Sequence, residues 1–337
     1  MISPRAMLLL HERWFVSDAG MSTRWSHALD PATLVTVGAA LLVVLPAILL
    51  WRQMGRTPFV PGPLALGATT DQLQVVYGWL PLLLAVHTAI PLLVSGVQNH
   101  LLVPNLVMER GTGVLVGLAE VAVGLLLFYG LFSRYAALGL VGIWMVGVIL
   151  FGPVLLLEQT IYLGIAAFFW IAGRGPIAID RMFGEWARPR REWLPHAVSA
   201  LRVATGFSIV WLALTEKLLN LPLALAFLDA YPFANFLPAL GLAVSDATFV
   251  RIAGGIELTA GLLLMVGAFP RLTILLLWLP FNLTLTAFGW RELVGHLPIY
   301  ATIGAVLLWG RGGPEDIRAF ESGLMPRRTA PIDPETQ

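Results

Sequence analysis

Glu120 and Glu257 are the residues of this 337-residue chain that most invite chemistry, because each is a carboxylate inside a long apolar run, Gly113–Leu131 and Ile252–Ala268. An ionisable group near the middle of a membrane-spanning helix costs ~2.5–3.5 kcal/mol on insertion scales, so it needs a partner or a purpose. Each Glu falls about two turns into its predicted helix, ~10 Å below the helix end at 1.5 Å per residue. Polar residues stand at a similar depth on the preceding predicted helix: Glu216 and Lys217 ahead of Glu257, and Gln98, Asn99 and His100 ahead of Glu120. Two clusters are therefore predicted. One gathers Lys217, Glu216, Glu257, Arg251 and His296; the other gathers Asn99, His100, Glu120, Arg110 and Gln159.

Three uses fit such clusters. They could be ion-paired networks that fix how helices pack. They could bind a polar headgroup, such as a quinone ring or a small substrate, with Glu and His exchanging the protons that accompany reduction or oxidation. They could also carry protons or ions. Under the second use Glu257, Glu120 and Lys217 are the candidate catalytic groups and the remaining cluster members the binding groups.

Other chemistry finds little support. Cysteine is absent, which removes disulfides, thiolate metal sites and thiol relays. His87 and His296 are placed deeply enough to ligate a haem iron, but they fall in different halves of the chain, and paired ligation needs both imidazoles to converge on one pocket. Zinc-ligand spacings and Gly-rich nucleotide motifs are both missing, so any electrons would enter from a soluble or membrane redox partner. No metal and no cofactor are expected within the chain, with quinone as the candidate ligand. A net charge of +1, with basic residues flanking apolar segments, gives no reason for a nucleic-acid partner.

The elements that must position these groups follow from composition. Hydrophobic residues make up 58% of the chain and charged residues 12%, against roughly a quarter charged in a soluble domain. Apolar segments of about 20 residues match a hydrocarbon core of ~30 Å, and they lack the alternation of outer-membrane strands. Crossing lipid then requires helices, which satisfy their own backbone. About nine spans are predicted, at Thr33–Trp51, Val76–Gly96, Gly113–Leu131, Tyr135–Phe151, Gln159–Ala172, Ala197–Leu214, Ile252–Ala268, Leu272–Phe288 and Leu297–Trp309. Residues 220–246 are expected to lie in the membrane interface. The N-terminal stretch before Pro31 lacks the apolar core of a secretory signal, and residues 319–337 read as a disordered cytoplasmic tail. Of the 21 Lys and Arg, 14 fall on the side of the chain's C-terminus, which predicts a cytoplasmic C-terminus, an outer N-terminus and both clusters in the outer leaflet of a prokaryotic plasma membrane. Arg134 and Arg271, in tight turns on the basic side, are expected to snorkel to lipid phosphates.

A shift of 137 positions superposes Arg110–Arg181 on Ala247–Arg318 without a gap. Glu120 then meets Glu257, Gly130 meets Gly267, Phe132 meets Phe269, Arg134 meets Arg271, Phe151-Gly152 meets Phe288-Gly289 and Gly173-Arg174-Gly175 meets Gly310-Arg311-Gly312. Apolar composition alone would not align a Glu, several Arg and this set of Gly in one register. The preceding spans pair at a different offset, Pro81–Asn105 with Ser199–Leu223. The fold expected is therefore all-α and integral to the membrane: two tandem, parallel four-helix bundles, residues 76–181 and 197–318, after an N-terminal helix within residues 1–60. Gly113, Gly117 and Gly124, and likewise Gly254, Gly255 and Gly261, predict close helix packing.

These features resemble the DoxX family of four-helix membrane proteins, whose relatives include the DoxD subunit of thiosulfate:quinone oxidoreductase. The resemblance rests on Arg202 to Lys217, on Gly255-Ile256-Glu257-Leu258 through Gly267 with Arg271, on Gly310-Arg311-Gly312, and on most of the same features between Gly117 and Gly175. It covers about two-thirds of the chain. It implies a membrane subunit of an oxidoreductase system near the quinone pool. A small-molecule or ion transporter and a non-catalytic assembly subunit are the other readings. Asn99 stands where the second copy has Lys217, so the two copies are not expected to be equivalent.

Overall fold

The computed structural model describes residues 12–16, 21–310 and 312–325, and among them every regular element is helical. The α-helices are α1 (Pro31–Gln53), α2 (Thr70–Val97), α3 (Arg110–Tyr129), α4 (Ser133–Phe151), α5 (Pro153–Glu158), α6 (Ile161–Ala172), α7 (Leu194–Leu212), α8 (Leu221–Ala230), α9 (Asp246–Val266), α10 (Pro270–Phe288), α11 (Trp290–Trp309) and α12 (Pro314–Leu324). α7 runs on into a π-helical turn, Ala213–Leu218. Each predicted segment coincides with a helix over most of its length. Seven of the resulting stretches are long and apolar enough to cross a membrane: α1, α2, α3, α4, the 191–218 stretch that contains α7, α9 and the 292–309 part of α11. α6 has 12 residues and reaches only ~18 Å, because Gly152-Pro153 and the break at Gln159 divide the apolar run before it.

Local signals explain the helix ends. Thr69 and Gln72 form a reciprocal capping box at the start of α2, with bonds of 2.8 and 3.2 Å. α3 and α9 both end on a left-handed glycine, Gly130 and Gly267, and the turn into the next helix passes through a second left-handed residue, Phe132 or Phe269. Asp180 secures the α3–α4 turn by accepting from the Phe132 amide at 2.5 Å and the Ser133 amide at 2.9 Å.

α2, α3, α4 and α6 pack in succession, as do α7, α9, α10 and α11; α6 also lies against α7, and α11 against α2. A single apolar core accordingly passes through both predicted bundles and includes Leu84, Leu140, Phe168, Ala197, Leu264 and Phe281. Glycine permits the closest crossings. A Cβ on Gly117 would lie 2.2 Å from the Gly96 carbonyl oxygen, and one on Gly261 would lie 2.7 Å from that of Gly206. α1 packs on α9 and turns Leu34, Leu42, Leu45 and Leu49 outward, a lipid-compatible face.

Three expectations need correction. Residues 319–324, read as disordered, complete α12: Ala319, Phe320 and Leu324 are buried, and Tyr77 donates to Asp316 at 2.9 Å. The apolar positions on this short helix were too few to stand out beside its polar ones; residues 326–337 lie outside the described residues. Arg271 turns inward and donates to the Leu307 and Leu308 carbonyls at 2.8 and 2.9 Å, closing the C-terminus of α11. Arg134 donates to the Arg188 carbonyl. Helix-end carbonyls thus hold Arg271, and a loop carbonyl holds Arg134, where lipid phosphate was expected to.

Candidate functional site

The π turn after α7 carries Thr215, Glu216 and Lys217, all of them buried. Widening the helix narrows the angle between successive side chains, which lets three consecutive polar residues face inward. The Lys217 ammonium sits 3.0 Å from Glu257 Oε2, on α9, and 3.0 Å from Glu12 Oε1. Glu12 belongs to a short 3-10 turn, Glu12–Trp14, that enters the bundle from the N-terminal side. Its amide donates to Glu216 Oε2 at 2.7 Å. Arg13 pairs with Glu158 and stands 3.6 Å from Glu216 Oε1, while Thr215 donates to Glu158 Oε1 at 2.8 Å.

This connected cluster contains four carboxylates, Glu12, Glu158, Glu216 and Glu257, and two cations, Arg13 and Lys217. Among the described residues, fully ionised, it would carry two more negative than positive charges, and burial makes such an excess costly. Burial by itself would raise the Glu12 carboxyl, but the neighbouring Lys217 ammonium and its hydrogen bonds hold it below the ordinary carboxylate range. Among the described residues neither carboxylate oxygen of Glu257 has a hydrogen-bond partner, and Oε2 is ion-paired with Lys217.

Glu257 also lines a cavity of about 770 Å³ between α1, α9 and α10. Ala39, Val43, Ile252, Ile256, Leu276 and Pro280 make its walls apolar, and Arg251 lies one to two turns away from Glu257 along the same wall. A volume of this order lies within the range of small-molecule sites.

The sequence-predicted residues are distributed unevenly. Lys217, Glu216 and Glu257 come together as expected. Arg251 lines the apolar cavity and makes no ion pair with them. His296 is fully buried, 3.1 Å from Glu292 Oε1, with its ring against Trp14 and Phe281. The second predicted cluster does not assemble. Glu120 is buried and accepts from the Leu102 amide at 2.7 Å, leaving its other oxygen without a hydrogen-bond partner. Arg110 is exposed at the start of α3. Asn99 takes a left-handed backbone that serves the turn after α2, and His100 bridges to Val107 in the same loop. Gln159 is buried beside a void of about 20 Å³ with Trp14 and Ser208. His87 bonds the Leu83 carbonyl of its own helix at 2.8 Å.

Sequence reasoning missed Glu12, Arg13 and Glu158. Glu12 and Arg13 come from the N-terminal stretch before Pro31, more than 200 residues from Glu216. Glu158 was legible as an acid flanked by apolar residues, immediately before the chosen Gln159. Gly295 makes room for the arm, since a Cβ there would lie 2.2 Å from the Trp14 ring. Among the described residues no set of His, Asp or Glu converges to hold a metal. Comparison with family models, curated proteins and solved structures gives no match to this chain.

Proposed function

We propose that this chain is a membrane subunit of an oxidoreductase system, with a quinone as the ligand of the cavity between α1, α9 and α10. One observation carries the reading: Glu257, whose carboxylate is held by a buried ammonium, stands in the wall of an apolar cavity between three helices. A quinone needs an apolar slot for its ring and tail, and a group that gives or takes protons at its oxygens. Glu257 and Lys217 supply the second requirement. Electrons come from a partner, as the chain's own residues offer no redox centre. The site faces the outer leaflet of a prokaryotic plasma membrane, with the C-terminus cytoplasmic, in keeping with the distribution of basic residues.

The reading includes descent from a duplicated, DoxX-like four-helix unit, with nine spans in all. Supporting it, paired positions of the 137-residue register share unusual backbone: Gly130 with Gly267, Phe132 with Phe269, Gly152 with Gly289, Gly173 with Gly310 and Gly175 with Gly312 all have positive φ. The packing is reciprocal as well, the last helix of each unit lying on the first helix of the other. α1 has no counterpart and walls a cavity only beside the second unit, so Glu257 is the working carboxylate and Glu120 a structural one.

Decylubiquinone binding to the purified protein tests this. A hydrogen bond to a charged group contributes ~1.5–3 kcal/mol, so Glu257→Gln should weaken binding by about 10- to 150-fold without changing the protein's yield. Equal affinity in wild type and variant removes Glu257 from the site.

A further inference from the structure

The charged residues in the wall of the cavity between α1, α9 and α10 are Glu257 and Arg251. Glu257 is buried and held by the Lys217 ammonium at 3.0 Å. Arg251 is half-buried, and among the described residues it meets no carboxylate and no backbone carbonyl. Other guanidiniums of this protein do find such partners: Arg13 has Glu158, Arg174 the Leu127 carbonyl, Arg202 the Met265 carbonyl and Arg271 the Leu307 carbonyl. The threonine hydroxyls along the same walls are already committed. Thr36, Thr259 and Thr273 donate to the Ala32, Gly255 and Phe269 carbonyls, one turn back, at 2.9, 2.8 and 3.2 Å.

Arg251 stands near one end of this cavity, ~8 Å along the α9 axis from Asp246, where the helix begins. From Arg251 the α9 wall continues to Leu263, ~18 Å further, and α1 follows it as far as Val43. The cavity is a groove, since Val35, Val43, Ile252, Ile256 and Leu276 line it and are each 45–70% exposed. α1 and α9 are both long and apolar enough to cross a membrane, so the open side of the groove meets acyl chains. A cation at the head of a long apolar groove is complementary to an amphiphile with an anionic head and a hydrocarbon chain. A soluble anion would leave the groove empty, and a neutral lipid would leave the charge unmatched. We propose that the groove holds an anionic phospholipid, with its headgroup on Arg251 and one acyl chain lying along α9, and that a quinone enters by displacing it. The displacement rests on the quinone reading; the lipid site does not. Of the nearest acids in sequence, Asp246 accepts from Asn235 at 2.7 Å and Asp30 lies 3.9 Å from His27, and neither lines the groove.

Two photoactivatable lipids test the site in phosphatidylcholine vesicles containing the full chain. Both carry the same diazirine acyl chain, one on phosphatidylglycerol, which is net negative, and one on phosphatidylcholine, which is net neutral. One arginine near an anionic headgroup is worth about a fivefold preference. Peptide mapping should therefore find residues 32–43 and 251–263 labelled about five times more strongly by the first probe than by the second. The outward face of α4, with Leu138, Met145 and Ile149, is the internal reference and should take both probes equally. Arg251→Gln should abolish the preference and Arg251→Lys should keep most of it, while the comparison of the two probes on the wild-type chain needs no variant. Equal labelling of α1 and α9 by both probes, or a preference that survives Arg251→Gln, overturns the lipid site and leaves the quinone reading untouched. Decylubiquinone should remove the phosphatidylglycerol label. A label that depends on Arg251 but persists under decylubiquinone upholds the lipid site and overturns the quinone reading of this cavity.

Discussion

Lys217→Met removes the cation that stands between Glu12 and Glu257. Both ion pairs are 3.0 Å long and the lysine side chain is 0% exposed, so neither carboxylate can turn to water in its place. Methionine keeps most of the lysine's length and fills the same channel, so little packing is lost. The cost is then mainly that of leaving buried charge without a partner, ~3–5 kcal/mol for one member of a buried pair. Reversible unfolding in mixed micelles, followed by Trp fluorescence, measures it. Adding Glu257→Gln to Lys217→Met should recover at least ~1 kcal/mol relative to the sum of the single variants, because the two groups act on each other directly. A loss below ~1 kcal/mol for Lys217→Met, the range of solvent-exposed pairs, would refute the argument that this lysine is sealed among carboxylates.

Glu120 should respond differently, since its one resolved bond is from the Leu102 amide. Glu120→Gln keeps an acceptor there and should cost under ~1 kcal/mol, whereas Glu120→Ala strands a buried donor and should cost ~1–3 kcal/mol in the same unfolding assay. Equal costs would show that the charge, rather than the acceptor, matters. At the α2–α3 crossing, Gly117→Leu must push helix backbones apart and should cost ~1–3 kcal/mol or more, while Gly142→Leu, with nothing within 4 Å of its Cβ position, should be close to neutral. Similar effects at the two glycines would contradict the close approach.

Much of the architecture was legible because lipid leaves few choices: an apolar run of about 20 residues must be a helix, and Gly130 and Gly267 mark where α3 and α9 stop. The Lys217–Glu257 pair was legible too, from matching depth on consecutive helices. Depth says nothing about azimuth, however. Arg110 and Arg251 stand on the same helices as Glu120 and Glu257 but do not join a cluster, and Gln159 sits one residue from the carboxylate that does. Glu12 and Arg13 were out of reach for a different reason. Their contacts are made by a short arm far away in sequence, which leaves no periodicity to read. Arg134 and Arg271 went astray because a backbone carbonyl and a lipid phosphate attract the same guanidinium, and only packing decides between them.

The most direct measurement is photolabelling of the membrane-embedded protein with an azido-ubiquinone, followed by peptide mapping. The account predicts label on α1 and α9, within Ala32–Val43 and Arg251–Leu263, competed away by decylubiquinone and sharply reduced in Glu257→Gln. Label confined to other helices, or label on α1 and α9 that neither competition nor Glu257→Gln diminishes, would contradict it.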